Sequence, residues 1–416
     1  MELLAPFELN ELCRDWVDSI PGQDFLALVQ SKIDGLKEAA GFEETVVIRE
    51  EEPVEFAAMF FAALWSGRPL ALANPQWGEV EQGEFNDLLS RTLAKPGSIL
   101  IPTGGTTGGV KLAIHDWSSL RASALGIQDF LGGGPIHSSC LLPLFHVSGL
   151  MQLVRSFVTG GSIRFDDEDL YDRCVSLVPT QLQRALKDEE SIRKMNTARV
   201  IFVGGARISD ALADRVRGYA LPVVPVYGMT ETAAMVAAVP KEDFIHRPDA
   251  GAVALGDAAF SIGDDGRIRI RSSALFQGYH GRPPLDLSEG FVVNDEGRLD
   301  DAGRLYVIGR VDRLINTGGE KVDPREVEAA LLGVEGVEEA LVVGEPDDEW
   351  GQAVVAFYTG DALLDPVACR ALLGQMLAPH KLPKKLLRVD ALPAKLDSVG
   401  ASLAAPAFRL GPASSG

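Results

Sequence analysis

The chain has 416 residues, and at about 150 residues per domain this length gives room for two or three domains. With 46% hydrophobic and 24% charged residues, the composition lies in the globular range and excludes wholesale disorder. The formal net charge of -20 disfavours nucleic acid and anionic membrane surfaces as partners, so an anionic ligand would need a locally positive site.

Cysteine spacing and hydropathy bear on the compartment. The four cysteines lie far apart without a Cys-x-x-Cys pair, which favours reduced thiols in the cytoplasm over a disulfide framework or a zinc site. The opening residues lack the basic region of a secretory signal. The most apolar segment, 56–73, is interrupted by Arg68 and Pro69, so it predicts a buried helix followed by a strand rather than a membrane span.

The first hundred residues alternate helical patterns with short β-branched runs, which predicts α/β layering around a parallel sheet. A helix is expected over 25–40. Strands are expected at 45–48, 98–101, 139–142, 199–203 and 223–226. Ligands of such sheets collect at the carboxyl ends of the strands.

Beyond residue 250 the pattern changes to short strands separated by Gly and Asp. Strands are expected at 259–262, 268–271 and 305–308, followed by helix 324–332, strands 339–343 and 353–358, and helix 365–377. We therefore expect an α/β fold in two parts. Residues 1–311 form a large N-terminal domain of layered α/β sheets plus a β subdomain, and residues 312–416 form a small α+β domain.

The segment ILIPTGGTTGGVKL (99–112) carries the strongest chemical signal. Seven consecutive Gly and Thr residues, 103–109, follow a strand and lead to Lys111. Glycines let backbone N–H groups turn toward an anion, threonines add hydroxyl donors and the lysine adds charge, which is typical of phosphate binding. A Walker P-loop is excluded because Lys111 is not followed by Ser or Thr. A glycine-rich surface turn is the weaker alternative.

At this loop the sequence resembles the adenylate-forming superfamily of acyl- and aryl-CoA synthetases, luciferases and adenylation domains. The signature Ser/Thr-Ser-Gly-Thr-Thr-Gly-x-Pro-Lys matches Thr103 to Lys111 in register, with Gly104 and Val110 as departures. Further resembling segments follow in the family's order across nearly the whole chain: LPLFHVSG (142–149), VGGA (203–206), VYGMTE (226–231), NDEGRLDDAGRLYVIGR (294–310) and VDRLINTGGEKVDPREVE (311–328).

The resemblance implies a binding site for ATP. Nucleotide-binding residues would be Thr103, Gly104, Gly105, Thr106, Thr107, Gly108, Gly204, Gly205, Ala206, Tyr227, Gly228, Met229, Thr230, Asp295 and Arg310. Catalytic roles fall on Lys111, His146 near the acid substrate, and Glu231, which would also ligate Mg²⁺. Taken singly, Glu231 would be a solvated carboxylate, Arg310 a surface ion pair and His146 a satisfied core histidine. The order of the motifs favours the functional interpretation.

The C-terminal motifs resemble the parts of the family that move. Asp312 matches the hinge about which a mobile lid domain swings, although a linker aspartate is an alternative. Gly318, Gly319, Glu320 and Lys321 match the loop that serves the CoA step, where glycines permit close backbone approach. A simple turn before the helix opened by Pro324 is the other interpretation.

Substrate choice rests on fewer residues. Segments 146–161 and 176–186 resemble the o-succinylbenzoate–CoA ligases of menaquinone and phylloquinone biosynthesis. An aromatic keto-dicarboxylate needs a cationic or hydroxyl-rich pocket, for which Ser148, Gly149 and Arg155 are candidates, with Thr180 and Gln181 suitable by type. Arg155 would otherwise be an ordinary helix-surface arginine.

The C-terminus departs from the family. A Gly-Lys pair, whose lysine serves adenylation, is expected after Leu392-Pro393, but Gly400 is followed by Ala401. Three explanations are open: Lys395 takes over this role, the expected lysine at 401 has been changed to alanine, or the enzyme is naturally disabled.

These observations predict an AMP-forming acid–thiol ligase that uses ATP, Mg²⁺ and CoA, with o-succinylbenzoate as the favoured acid. The alternatives are another aryl- or acyl-CoA ligase, a stand-alone adenylation domain, or a nucleotide-binding protein disabled for adenylation. No nucleic-acid partner and no membrane insertion are expected, and a homodimer stays open.

Overall fold

A computed structural model describes residues 6–38, 44–103, 109–208, 210–311, 314–347, 349–361, 364–390 and 392. The predicted phosphate-loop residues Gly104, Gly105, Thr106, Thr107 and Gly108 lie outside these ranges, as do Asp312, Lys395 and Ala401. No helix in these ranges is both long and apolar enough to traverse a lipid bilayer.

The first sheet has four strands in chain order, three of them parallel and the last antiparallel. Its elements are α1 (Gly22–Glu38), β1 (Val46–Ile48), α2 (Pro53–Trp65), β2 (Leu70–Leu72), α3 (Glu79–Arg91), β3 (Ile99–Thr103) and β4 (Lys111–His115). Helix α2 is apolar on nearly all sides and lies within the core, with Pro53 in its first turn and Glu52 capping it. The helix and strand predicted within 56–73 are confirmed.

The second sheet has seven strands in the order β11-β10-β9-β8-β7-β5-β6, with β5 to β9 parallel. Its elements are α4 (Trp117–Phe130), β5 (Ser138–Ser139), α5 (Val147–Val158), β6 (Ile163–Arg164), β7 (Cys174–Leu177), α6 (Pro179–Ala185), α7 (Glu189–Thr197), β8 (Val200–Val203), α8 (Asp210–Gly218), β9 (Val223–Met229), β10 (Ala234–Ala238), α9 (Lys241–His246) and β11 (Val253–Ala254). The strand predicted over 139–142 is wrong beyond Ser139.

The expected β subdomain is present as a four-stranded antiparallel sheet. Its strands are β12 (Ala259–Ile262), β13 (Arg267–Arg271), β14 (Phe291–Leu299) and β15 (Leu305–Arg310). The pairing of β14 with β15 places Asp295 opposite Arg310 in register. Two predicted nucleotide-binding residues are thereby neighbours on adjacent strands.

The C-terminal part forms a five-stranded sheet with its own hydrophobic core. Its elements are β16 (Ile315–Thr317), β17 (Glu320–Val322), α10 (Pro324–Leu332), β18 (Val337–Asp347), β19 (Gly351–Gly360), α11 (Pro366–Leu373) and β20 (Lys385–Arg388). The helix predicted over 365–377 begins after its N-cap Asp365 and ends earlier than predicted, at Leu373, with Gly374 as its C-cap. The predicted α/β fold class, with a β subdomain and an α+β C-terminal part, is confirmed. The boundary at 311/312 stays a prediction.

Candidate active site

The two arms of the glycine- and threonine-rich segment leave and enter the first sheet at the same edge. Strand β3 ends at Thr103 and β4 begins at Lys111, and these two residues pair directly across the antiparallel ladder. Both are half-buried. Within the described ranges, the Lys111 ammonium forms no ion pair, so its charge is available to a ligand.

The motif VYGMTE forms the end of β9 and enters the tight turn that leads to β10. A Cβ on Gly228 would lie 1.8 Å from the carbonyl oxygen of Ala234, so only glycine fits there. Ala233 and Ala234 follow with φ of 47° and 73°, a left-handed conformation that is costly for residues with a side chain. Thr232 Oγ1 donates to the carbonyl oxygen of Ala234 at 2.7 Å. The strained turn fixes the backbone that presents Glu231.

Two groups hold Glu231. Tyr279 Oη donates to Glu231 Oε1 at 2.6 Å, and the backbone N–H of Phe276 donates to the Glu231 carbonyl oxygen at 2.9 Å. Burial and the Glu231 charge raise the pKa of Tyr279, so its hydroxyl remains a donor at neutral pH. The sequence analysis missed Tyr279.

The Glu231 carboxylate is a ligand of the type that Mg²⁺ prefers. Among the described residues its side chain accepts only the Tyr279 hydrogen bond, which leaves acceptor capacity on both oxygens. No group of three or more His, Cys, Asp or Glu side chains in the described part of the chain forms a closed metal site. Mg²⁺ is typically held by one or two carboxylates plus substrate phosphates and water, so a single carboxylate suffices.

A second tyrosine–carboxylate pair joins β9 of the second sheet to β14 of the β subdomain. Tyr227 Oη donates to Asp295 Oδ2 at 2.6 Å. Burial, followed by the Asp295 charge, raises the pKa of Tyr227, while the positive charge of Arg310 acts in the opposite direction on both Tyr227 and Tyr279. Asp295, Arg310 and Glu231 therefore all lie close to Tyr227, so that two carboxylates and a cation share one region of the molecule.

A buried histidine absent from the sequence predictions connects β4 to this region. His115 is fully buried, with Nε2 2.7 Å from the Thr230 carbonyl oxygen and Nδ1 2.9 Å from Ser119 Oγ. Because a carbonyl only accepts, Nε2 carries the proton. Burial lowers the pKa of His115 to about 4, so the ring is neutral at physiological pH. The strand that begins at Lys111 is thereby tied to the turn that bears Glu231.

The VGGA motif follows β8. A Cβ on Gly204 would lie 2.8 Å from Val226 Cγ2, and Gly205 adopts φ of 81°. Ala206 is exposed. The three residues form an open backbone segment at the carboxyl end of a parallel strand, beside the strand of the VYGMTE motif.

The predicted acid-binding residues are separated along α5. His146 is the N-cap residue and is exposed, so it is not a core histidine. Ser148 is half-buried, and Gly149 packs so closely that a Cβ would lie 2.2 Å from the Pro143 carbonyl oxygen. Within the described residues, neither the His146 nor the Ser148 side chain forms a hydrogen bond with the Glu231 or Asp295 groups.

Arg155 lies two turns further along and is 2% exposed. Its Nε donates to the Met151 carbonyl oxygen at 2.8 Å, its guanidinium carbon lies 5.6 Å from the Phe202 ring centre, and its Nη2 has no partner among the described residues. Burial lowers its pKa to about 10. The alternative interpretation of Arg155 as an ordinary helix-surface arginine is wrong, because this face of α5 is buried.

The predicted CoA-step loop is the turn between β16 and β17. Gly318 and Gly319 adopt φ of 61° and 85°, and Glu320 is exposed. Lys321 Nζ lies 2.5 Å from Glu296 Oε2, a half-buried carboxylate next in sequence to Asp295. The C-terminal hairpin therefore contacts the strand that carries the predicted ribose-binding residue.

Comparison with known proteins places this geometry in a family. Residues 91–280 match the AMP-binding enzymes, and residues 326–395 match the AMP-binding enzyme C-terminal domain. The 2-succinylbenzoate–CoA ligase of Listeria monocytogenes is 32% identical over 317 residues, which span 72% of this chain and 68% of the relative.

Two solved structures of Bacillus subtilis o-succinylbenzoate CoA synthetase share the fold at 23% identity. The complex with the acyl-adenylate intermediate has a TM-score of 0.78 and covers 90% of this chain and 91% of that one. The complex with ATP and magnesium ion has a TM-score of 0.76 and covers 90% and 92%. This chain belongs to the family of AMP-binding, adenylate-forming enzymes, as a member similar to the 2-succinylbenzoate–CoA ligases.

Proposed function

We propose that the chain is an ATP-dependent, AMP-forming ligase that joins o-succinylbenzoate to CoA. The observation that carries the proposal is the convergence of Glu231, Asp295 and Arg310 around Tyr227, at strand ends adjoining the Lys111 hairpin. This arrangement provides groups suited to ribose, phosphate and Mg²⁺ in one place. The choice of acid is supported by the names of the curated relatives.

In the first half-reaction an oxygen of the substrate carboxylate attacks the α-phosphorus of ATP. The bond from the α-phosphorus to the bridging oxygen breaks, pyrophosphate leaves, and an acyl-adenylate forms. Asp295 accepts from the ribose hydroxyls and Arg310 donates to ribose and phosphate, while Lys111 neutralises charge on the phosphate chain. Bound Mg²⁺, held by Glu231, would supply further neutralisation of phosphate charge.

In the second half-reaction the CoA thiol loses its proton and its sulfur attacks the acyl carbon, so that AMP leaves. We assign Gly318 to Lys321 to this step and Asp312 to the hinge that brings them in. The separate sheet and core of residues 314–390 support a domain boundary at 311/312. The contact of Lys321 with Glu296 supports an approach of this hairpin toward the nucleotide.

The acid would lie near α5, with His146 at the helix start orienting its reacting carboxylate. Arg155, with an unpartnered Nη2 among the described residues, is our choice for the second carboxylate of the acid. All four cysteines are free thiols, and three of them are buried. This supports our proposal of a reducing compartment, the cytoplasm.

The deciding experiment measures pyrophosphate release and thioester formation with ATP and Mg²⁺ across a panel of acids, with and without CoA. We expect the highest kcat/KM with o-succinylbenzoate and formation of its CoA thioester by mass spectrometry. A higher kcat/KM for a medium-chain fatty acid would overturn the choice of acid. Adenylation without transfer to CoA would indicate a stand-alone adenylation domain, and ATP binding without turnover a disabled enzyme.

A further inference from the structure

A carboxylate outside the predicted site touches the exit of the phosphate loop. Glu84, on α3, accepts a hydrogen bond at Oε2 from the backbone N–H of Val110 at 2.9 Å. Val110 immediately precedes Lys111 at the start of β4. The Glu84 carboxylate therefore acts on the backbone from which the phosphate-binding lysine projects.

Gly109 makes this approach possible. A Cβ at this position would lie 3.0 Å from Glu84 Oε2 and 3.4 Å from Oε1, against the face of the carboxylate. Gly109 also adopts φ of 80°, which side-chain-bearing residues rarely adopt. Any other residue here would strain the backbone and crowd Glu84.

Val110 supplies the donor. It stands where the signature that the loop resembles has proline, and proline has a fixed φ but no N–H group. Compared with proline, valine at this position has a freely variable φ and a backbone N–H group. Because Val110 is half-buried, leaving that N–H without an acceptor would be costly. Glu84 satisfies that donor and restrains the same peptide.

The helix that carries Glu84 is anchored to the first sheet by a fully buried phenylalanine. Its neighbour Phe85 is fully buried in a cluster with Leu100 of β3 and Leu112 of β4, and the Val110 side chain packs against this cluster. Strands β3 and β4 form the two arms of the loop. The Phe85 contact therefore anchors α3 beside both arms of the loop, and Glu84 reaches the loop exit from there.

We propose that Glu84 is a positioning residue for nucleotide phosphates, fixing the Gly109–Val110 peptide so that Lys111 is aimed at the phosphate chain. This inference rests on the proposed function, because it assumes that the loop binds ATP. A hydrogen bond to a carboxylate is stronger than one between neutral groups, which suits it to replace the restraint of a proline ring. Glu84 touches the loop backbone and not the substrate.

The experiment compares Glu84→Ala, Glu84→Gln and Val110→Pro, with Glu79→Ala as a matched control that removes an exposed carboxylate from the same helix. Two readouts are taken on the full chain. Hydrogen exchange at the Val110 amide, without nucleotide, reports the contact itself. Calorimetry with ATP and with AMP reports its effect on phosphate binding separately from ribose and adenine binding.

Glu84→Ala should accelerate exchange of the Val110 amide and weaken ATP about tenfold, with AMP changed less than about twofold. Glu84→Gln retains an acceptor oxygen and should stay within about threefold of the parent chain for ATP. In the Val110→Pro background the backbone N–H is absent, so adding Glu84→Ala should weaken ATP binding by less than about twofold. Glu79→Ala should change neither readout.

If Glu84→Ala left hydrogen exchange at the Val110 amide unchanged, this would contradict the hydrogen bond between Glu84 and Val110. The positioning role would be overturned if Glu84→Ala weakened the binding of ATP and AMP equally. It would also be overturned if Glu84→Ala still weakened ATP binding about tenfold in the Val110→Pro background. If Glu84→Ala accelerates exchange but the parent chain binds no ATP, the proposed function fails and the positioning role fails with it, while the contact stands. The amide readout thus separates the two failures.

Discussion

The His115 ring donates through Nε2 to the carbonyl oxygen of Thr230 at 2.7 Å, joining residues 115 positions apart in sequence. This hydrogen bond connects the first sheet to the turn between β9 and β10. Since Lys111 begins the same strand as His115, and Glu231 follows Thr230, the bond ties the strand of a predicted phosphate-binding cation to the turn that bears a predicted magnesium ligand.

The buried His115 makes stability depend on pH. Its folded-state pKa is about 4 against an ordinary value of 6.5, so the unfolded chain binds more protons between these pH values. The stabilisation is fully present above pH 6.5 and is lost as pH falls toward 4, to a total of about 3 kcal/mol. Urea unfolding of the parent chain and of His115→Gln, from pH 7 to pH 4.5, measures it.

We expect the difference in unfolding free energy between these two chains to shrink as pH falls, because only the parent has a buried imidazole to protonate. Carboxylates titrate in both chains and cancel in the difference. A constant difference across this pH range would show that His115 does not titrate between the folded and unfolded states as its burial predicts.

Affinities for ATP and AMP should distinguish the residues that bind ribose from the residues that bind the phosphate chain. Tyr227→Phe removes the donor to Asp295, and we expect about tenfold weaker binding of ATP and AMP alike. Asp295→Ala should weaken the binding of both nucleotides more than Tyr227→Phe does. Lys111→Ala should weaken ATP more than AMP, because the predicted contact is with the β- and γ-phosphates.

Isothermal calorimetry with both nucleotides tests this contrast. Tyr219→Phe is the matched control, because Tyr219 is 45% exposed at the end of α8 and removing its hydroxyl should leave both affinities unchanged. Equal losses for ATP and AMP in Lys111→Ala would contradict the assignment of that lysine to the phosphate chain beyond the α-phosphate.

Arg155 should affect binding of the acid without supporting stability. Its guanidinium is buried with no carboxylate partner in the described part of the chain, and such a charge carries an unrecovered desolvation cost. Arg155→Met keeps a comparable apolar stem, so we expect the thermal midpoint to stay the same or rise. The KM for o-succinylbenzoate should rise at least about tenfold while the KM for ATP stays constant.

Benzoate provides the control for this variant, because it lacks the second carboxylate that Arg155 is proposed to bind. Its adenylation should be insensitive to Arg155→Met. An unchanged KM for o-succinylbenzoate would remove Arg155 from the substrate pocket and leave it as a packing residue beside Phe202.

Local signals explain what could be predicted from the sequence. The helix predicted over 324–332, with Pro324 at its start, has these limits in the structure, where Asp323 is its N-cap and Gly333 its C-cap. The strand over 139–142 was predicted too long: Leu141 is half-buried against a core cluster without joining the ladder. Apolar side chains at such positions indicate burial and do not distinguish a strand from a turn.

Contacts between distant segments explain what could not be predicted. Tyr279 lies 48 residues from Glu231, and Glu84 lies 26 residues from Val110. Neither pair forms a spacing that points to a shared site. Asp295 and Arg310 were identified only through their order among the motifs, and strand register places them side by side.

The lysine expected after Gly400 is replaced by Ala401, and its loss should affect adenylation and not thioester formation. A cation aimed at the α-phosphate and the attacking carboxylate stabilises charge that develops in adenylation, and losing such a preorganised group typically costs about 10²- to 10³-fold in rate. Ala401→Lys should therefore raise pyrophosphate release strongly. Thioester formation from a pre-made acyl-adenylate should barely change, because the proposed hinge motion replaces this segment with Gly318 to Lys321.

Lys395→Ala is the companion variant, since Lys395 is the alternative source of the cation. If Lys395→Ala abolishes adenylation and Ala401→Lys has no effect, Lys395 is the catalytic cation and the family's Gly-Lys pair has been replaced by a nearer lysine. If neither variant changes the rate and the parent chain binds ATP without turnover, the chain is a nucleotide-binding protein disabled for adenylation. Pre-steady-state pyrophosphate release with o-succinylbenzoate distinguishes these outcomes, because it measures the first half-reaction alone.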